Sequence, residues 1–180
     1  DGPESVEMGR TFTVAWVGPG GNRDALEVFD PDGNNGNGKV VFSKRLVNDD
    51  YDGQTVKLLA PIKAKTYELR YWDGNGRAAL VTAPVTVVAT EVTLAAPDAV
   101  PADERFTVEW VGPGANRDSI EVVSGDPATG KAVAGTRVVN GDLDARTVQV
   151  KAPKEPGIYT LRYWNGDFGE VLATRPITVE

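Results

Sequence analysis

Oxygen donors, guanidinium groups and indole rings are the groups in this chain whose type and spacing could do chemistry. In Asp30-Pro31-Asp32-Gly33-Asn34-Asn35-Gly36-Asn37, the donors Asp30, Asp32 and Asn34 fall at alternate positions. The first side-chain ligands of a calcium loop are spaced in this way. The match is partial: glycine comes one position late, and Val41 stands where a bidentate glutamate closes such a loop. Asp, Asn and Gly are also what a tight hairpin needs for left-handed backbone angles. We prefer the hairpin and keep calcium as its rival; no other cofactor is implied. A second acidic set, Asn48-Asp49-Asp50-Tyr51-Asp52, has a counterpart in Asn140-Gly141-Asp142-Leu143-Asp144. Paired carboxylates can bind a cation or act as acid and base. Both sets precede a strand, where solvated polar turns are expected.

Two stretches, Gly33 to Lys39 and Gly125 to Lys131, fit the spacing GxxxxGK. A phosphate loop needs a following Ser or Thr and a helix whose N-terminus faces the phosphates. Val40 and Ala132 follow instead, leading into strands, so both read as hairpin loops. Arg70-Tyr71-Trp72 recurs as Arg162-Tyr163-Trp164. With Tyr67, Leu69 and Tyr71 facing inward, Arg70 and Trp72 face outward. Glu27 and Glu121 also face outward, which makes Glu27–Arg70 and Glu121–Arg162 candidate cross-strand ion pairs at the surface. Trp72 and Trp164 could stack on a sugar ring or a partner, with Arg70 and Arg162 beside them. The preferred alternative is that each covers a loop or meets an arginine by cation–π contact.

The composition excludes more than it offers. The 180 residues include no Cys, no His and four Ser, and the formal net charge is −7. There is no Ser-His or Cys-His nucleophile pair, no histidine base and no zinc site of the usual N/S kind. There is no disulfide framework either. The basic residues are scattered through an acidic chain, which argues against nucleic acid as a partner. No apolar run approaches the ~18 residues of a membrane span, so no membrane insertion is expected. An enzyme is the least favoured class.

The elements that must position these groups come from a repeat. Phe12-Thr13-Val14-Ala15-Trp16-Val17-Gly18-Pro19-Gly20 returns 94 positions on as Phe106-Thr107-Val108-Glu109-Trp110-Val111-Gly112-Pro113-Gly114. Asn22-Arg23-Asp24 returns as Asn116-Arg117-Asp118. Tyr67-Glu68-Leu69-Arg70-Tyr71-Trp72 returns 92 positions on as Tyr159-Thr160-Leu161-Arg162-Tyr163-Trp164, the change falling in the loop Asp30 to Gly38. An indel confined to a polar loop leaves strands in register. Strands are predicted at Thr11 to Val17, around Leu26 and Val28, and at Lys39 to Val47. Others follow at Thr55 to Leu59, Tyr67 to Trp72 and Ala79 to Val88. About seven short strands per ~90 residues imply an all-β chain of two immunoglobulin-like or fibronectin-III-like sandwiches, over 1–89 and 90–180. Tyr67 and Tyr159 take the tyrosine-corner position. Phe12, Val14, Trp16, Leu26, Val28, Val56, Leu58, Tyr67, Leu69 and Tyr71 are the predicted core of the first copy. The junction, without Gly or Ser, suggests a short, fairly stiff connection. Pro97 aligns with Pro3, so the copy-one counterpart of a strand at Val92 to Ala96 lies mostly before Asp1. The chain therefore reads as a segment of a longer protein with its first strand truncated.

The combined pattern Trp-Val-Gly-Pro-Gly-x-Asn-Arg-Asp-x-(Leu/Ile)-Glu-Val, Ala-Pro ahead of Tyr-x-Leu-Arg-Tyr-Trp, and Pro-(Val/Ile)-Thr-Val is similar to a bacterial repeat. It resembles the tandem β-sandwich repeats found C-terminal to von Willebrand factor type A domains in secreted or envelope proteins. The resemblance spans both copies nearly end to end. It implies an exported protein (periplasmic, cell-surface or extracellular) and a non-catalytic spacer or interaction module. A protein or cell-surface partner is expected on that basis, with a glycan as an alternative. The metal motif of the A domain, Asp-x-Ser-x-Ser, occurs nowhere in this chain, so no functional residue carries over.

Overall fold

The computed structural model describes residues 1–46, 54–115, 117–138 and 146–180. The two acidic sets at 48–52 and 140–144 lie outside them, as does Asn116. The chain divides into two compact units, Asp1–Ala89 and Thr90–Glu180. Among the described residues, no helix is long and apolar enough to cross a membrane.

Unit one is built from β1 (Ser5–Glu7), β2 (Thr11–Ala15), β3 (Ala25–Asp30), β4 (Lys39–Arg45), β5 (Thr55–Leu59), β6 (Lys65–Asp73) and β7 (Ala78–Val88). The strand order β1-β7-β6-β3-β4 forms one sheet, and β2-β5 forms the other. Unit two contains β8 (Thr93–Ala95), β9 (Ala99–Val100), β10 (Arg105–Val111), β11 (Ser119–Val123) and β12 (Ala132–Arg137), followed by β13 (Thr147–Lys151), β14 (Gly157–Asn165) and β15 (Glu170–Val179). Its sheets run β12-β11-β14-β15-β9 and β13-β10-β8. The chain crosses from one sheet to the other between β2 and β3 and again on either side of β5, which is the connectivity of an immunoglobulin-like sandwich. In each unit a short N-terminal strand pairs in parallel with the last strand: β1 with β7, and β9 with β15.

Alternation explains the layering. Phe12 and Val14 on β2, Val56 and Leu58 on β5, and Leu26 and Val28 on β3 point between the sheets and are buried. Tyr67, Leu69 and Tyr71 on β6 face them, so the whole predicted core set is buried. The same places in unit two hold Phe106, Val108, Trp110, Ile120, Val122, Leu161 and Tyr163. Trp16 packs on Tyr71 with ring centroids 5.6 Å apart, and Trp110 packs on Tyr163 at 5.8 Å. The tyrosine corners form as expected: the Tyr67 hydroxyl donates to the Lys63 carbonyl and the Tyr159 hydroxyl to the Glu155 carbonyl, both at 3.0 Å.

The Gly-Pro-Gly turn is dictated by the tyrosine beneath it. A Cβ on Gly18 would stand 2.5 Å from the Tyr71 ring, and one on Gly112 would stand 2.8 Å from Tyr163. The third residue of the turn, Gly20 or Gly114, takes φ of 65° or 66°, which glycine adopts without strain. Gly18→Ala or Gly112→Ala must displace a packed ring or the turn over it. Each should lower the unfolding free energy by roughly 1–3 kcal/mol, the usual cost of overpacking. Chemical denaturation followed by tryptophan fluorescence reads that loss.

Candidate functional site

The repeated Asn-Arg-Asp motif delivers its carboxylate inward. Asp24 and Asp118 are buried just before β3 and β11, at the end of the sandwich closed by the Gly-Pro-Gly turn. The Tyr71 hydroxyl donates to Asp24 Oδ2 at 2.6 Å, and the Gly21 N–H donates to the same oxygen at 2.7 Å. The Gly74 N–H reaches Oδ1 at 3.3 Å, and the Tyr71 oxygen accepts from the Gly20 N–H at 2.9 Å. Unit two repeats the arrangement. Asp118 accepts from the Tyr163 hydroxyl at 2.6 Å, the Ala115 N–H at 2.8 Å and Asn165 Nδ2 at 2.8 Å. One carboxylate thereby ties β3 or β11, the turn after β2 or β10, and the end of β6 or β14. The same residue's backbone carbonyl accepts from the Leu46 N–H in unit one and from the Val138 N–H in unit two.

The two carboxyls are tuned in opposite directions. Burial pushes Asp24 up, but the hydrogen bonds from Tyr71, Gly21 and Gly74 together hold it below the ordinary carboxylate value. Burial dominates at Asp118 and, with the nearby Asp167 carboxylate adding to it, raises that group despite its hydrogen bonds.

The candidate calcium loop closes on a cation from its own chain. Lys65 Nζ lies 2.5 Å from Asp30 Oδ1 and 3.0 Å from Asp32 Oδ2, between the two carboxylates. Burial tends to raise Asp30, and the Lys65 bond and the backbone amides more than offset it, leaving the carboxyl below its usual value. Bonds to Asp30 and Asp32 raise Lys65. Asn34 and Asn35 sit at φ of 51° and 56° in a single turn at the hairpin tip, the left-handed geometry that Asn tolerates. The structure thus brings Asp30 and Asp32 together around an ammonium, and uses Asn34 to turn the chain. Among the described residues no cluster of three acidic groups stands ready for a metal. The second GxxxxGK stretch is a turn built on Asp126, whose Oδ1 accepts from the Ala128 and Thr129 N–H groups.

The arginine–tryptophan pairs depart from the symmetric expectation. In unit two, Glu121 and Arg162 are register partners on β11 and β14, and Arg162 Nε and Nη2 bond Glu121 Oε2 at 2.9 and 2.7 Å. Arg162 is not a surface residue, being 7 % exposed. Its Nη1 reaches back to the carbonyls of Pro127 and Gly130, tying the β11–β12 hairpin loop to the sheet. It also lies 4.6 Å from the Trp164 ring centroid, the cation–π contact expected of that tryptophan. In unit one, Glu27 and Arg70 are likewise register partners, but Arg70 bonds Glu68 at 2.7 Å and stacks over Phe29 at 3.2 Å. In place of the expected Glu27–Arg70 ion pair, Arg70 turns to Glu68 and Phe29, where unit two has Thr160 and Val123, and Glu27 bonds Ser43 while Arg70 acts on it only through its charge. Trp72 and Trp164 are both half-buried.

Trp164 borders a concavity of about 510 Å³ on the outer face of β11, β12 and β14, which Trp72 has no part in. Arg117, Arg137 and Glu121 line it, and its floor includes Gly135, opposite Glu121. Ser43 holds the corresponding place opposite Glu27.

Sequence reasoning missed the roles of three residues, Lys65, Asp24 and Asp118. Lys65 gives no signal beyond being a cation near Tyr67. Asp24 and Asp118 do give one, since an acid recurring after Gly-Pro-Gly in both copies points to a fixed acceptor. The motif marks them as charged candidates without saying that they turn inward.

No family model matches the chain, and no curated protein matches it. Among solved structures it is similar to a marsupial T cell receptor, at 12 % identity and TM-score 0.32, covering 100 % of this chain and 71 % of that one. It is also similar to the teleost fish polymeric Ig receptor ectodomain, at 11 % identity and TM-score 0.35, covering 99 % and 95 %. A third likeness is to a glycosyl hydrolase family 2 member from Bacteroides cellulosilyticus, at 16 % identity and TM-score 0.26, covering 92 % of this chain and 24 % of that one.

Carboxyl-carbon NMR titration of the whole chain should find Asp24 ionising below the ordinary carboxylate range and Asp118 above it. The stability consequences have opposite sign. Asp24 stabilises above its unfolded-state value, and that contribution is lost as pH falls through the folded-state value. Asp118 favours the fold when protonated, so its contribution falls as pH rises from the unfolded-state value through the raised folded one. Tyr163→Phe takes the acceptor from the Gly114 N–H and one of two donors from Asp118 Oδ2, which keeps the Ala115 N–H, and should cost unit two about 1–3 kcal/mol by denaturant titration. At the hairpin, millimolar calcium should leave the thermal midpoint where EDTA leaves it, because the ion would have to displace Lys65. A calcium-dependent rise in the midpoint would restore the metal site.

Proposed function

We propose that this chain is a pair of non-catalytic structural and interaction modules, spacer or protein-binding repeats of an exported bacterial protein. One observation carries the proposal. The buried charged side chains among the described residues are Asp24, Asp118 and Arg162, and each bonds to backbone or side chains of its own unit. A catalytic acid, base or nucleophile needs a reacting atom that substrate can reach. These groups have given that access to the fold. The exposed sheet faces and loops are left for contact, and a protein or cell-surface component is the partner that suits them. The resemblance to repeats that follow von Willebrand factor type A domains supports the exported setting.

The Trp164 concavity favours a second reading, a glycan site in unit two. An indole face flanked by two guanidinium groups and a carboxylate offers a sugar both a stacking surface and hydrogen bonds. Two measurements test these readings. Purified chain should turn over no ester, glycoside or phosphoester substrate; an activity that survives stringent purification overturns the non-catalytic assignment. Titration with neutral and acidic glycans should quench tryptophan fluorescence in the native chain and not in Trp164→Ala if the second reading holds. Unchanged fluorescence across the panel removes it.

A further inference from the structure

The concavity beside Trp164 is a product of strand register. Arg137 on β12, Ser119 on β11 and Trp164 on β14 are partners in one rung across the sheet. Gly135, Glu121 and Arg162 form another rung, two residues along. Alternation puts all six positions on the outer face. Each rung has a low place. Ser119 is short, and Gly135 has no side chain; a Cβ there would stand 3.1 Å from Glu121 Cγ. Neighbouring strands lie about 4.8 Å apart, so Arg137 and Trp164 stand on strands roughly 10 Å from one another, with Ser119 between them. Arg117, just before β11, also lines the space. Its volume of about 510 Å³ falls within the range of small-molecule sites, about 300–1,000 Å³.

The polar groups around this space are unequally engaged. Both Glu121 oxygens are taken: Oε1 accepts from Ser119 Oγ at 2.8 Å, and Oε2 accepts from Arg162 Nε and Nη2 at 2.9 and 2.7 Å. Glu121 and Arg162 therefore cancel as charges. Arg137 is exposed and has no hydrogen-bond or ion-pair partner among the described residues. Arg117 has only Asp167 at 4.0 Å among them, and its side chain is 65 % exposed. A chain of net charge −7 thus presents two open guanidinium groups beside one indole. The Arg162 guanidinium covers one face of that indole, and the ring still borders the space. Unit one has the same rung in Arg45, Ala25 and Trp72, but Arg45 Nη2 is spent on the Asn22 carbonyl at 2.5 Å.

We propose that unit two binds an acidic saccharide in this concavity, the sugar ring against Trp164 and its carboxylate on Arg137 and Arg117. The inference rests on the glycan reading and adds the charge of the sugar. A guanidinium fork matches a planar carboxylate at two points, and both bonds are charge-assisted. A neutral sugar leaves the two guanidinium groups to water and finds Glu121 already used as an acceptor. An acidic peptide side chain satisfies the arginines and leaves the indole without a stacking partner.

The test titrates the whole chain with digalacturonate, sialyllactose and a hyaluronan tetrasaccharide, each beside its methyl ester, which keeps the rings and removes the charge. Saturable one-to-one binding of at least one acid is expected, with NMR shifts at the Ser119 and Gly135 amides and the Trp164 indole N–H. Affinity should be at least about tenfold lower, near 1.4 kcal/mol, for the matching ester. Arg137→Gln, a change at an exposed position, should weaken the acid by a similar factor. Arg45→Gln, at the counterpart in unit one, should leave it unchanged. Added salt should weaken the acid more than the ester, because exposed charges are screened. Equal affinity of acid and ester, or full binding by Arg137→Gln, overturns the inference and leaves the glycan reading standing. A tetraglutamate peptide that shifts the same residues and binds as tightly as the best acid assigns the site to acidic peptides and overturns it too. Saturation by no saccharide, acid or ester, removes the inference and the glycan reading together. The non-catalytic assignment is read separately, from turnover.

Discussion

Each sandwich depends on a carboxylate placed where water cannot reach it. Burying a charge is costly unless hydrogen bonds meet it, and Asp24 and Asp118 are met by a tyrosine hydroxyl and backbone N–H groups. The requirement propagates outward. The tyrosine must sit at the end of its strand, its ring must pass under the Gly-Pro-Gly turn, and the residue above that ring can carry no side chain. Three segments distant in sequence are fixed by one polar centre. In immunoglobulin-like domains with a disulfide, a covalent bond helps pin the sheets. This chain has no cysteine, and the Asp–Tyr centre with its neighbouring tryptophan fastens one end of the sandwich instead.

The copies keep that centre and differ around it. At the hairpin between the third and fourth strands of unit one, Lys65 on β6 holds Asp30 and Asp32 of the loop. In unit two the corresponding hairpin is held from β14 by Arg162, whose fork spans Glu121 and two loop carbonyls. A planar guanidinium can bond several acceptors at fixed angles, whereas an ammonium behaves as a point charge between carboxylates. The loop sequences follow from this difference. The Lys65 loop supplies acids, and the Arg162 loop supplies carbonyls, with its one acid, Asp126, turned to its own backbone. Charges that looked available for cations or partners are largely the means of closing loops.

What was legible in the sequence was whatever alternation or repetition encodes. Phe12-x-Val14-x-Trp16 and Tyr67-x-Leu69-x-Tyr71 can bury one face only as strands. Their return in the second half requires the same fold twice. The tyrosine corners and the hairpin nature of both GxxxxGK stretches followed from the same local logic. The choice of partner across a strand was not legible. Glu27 and Glu121 occupy equivalent register positions, yet Arg70 turns to Phe29 and Glu68 while Arg162 turns to Glu121. The copies differ at two places around the arginine, Phe29 against Val123 on the neighbouring strand and Glu68 against Thr160 on its own, and periodicity does not say which acceptor the arginine takes. Arg162 was placed outward correctly by alternation and is buried all the same. The hairpin loop folds over it, a tertiary fact that a face assignment cannot contain.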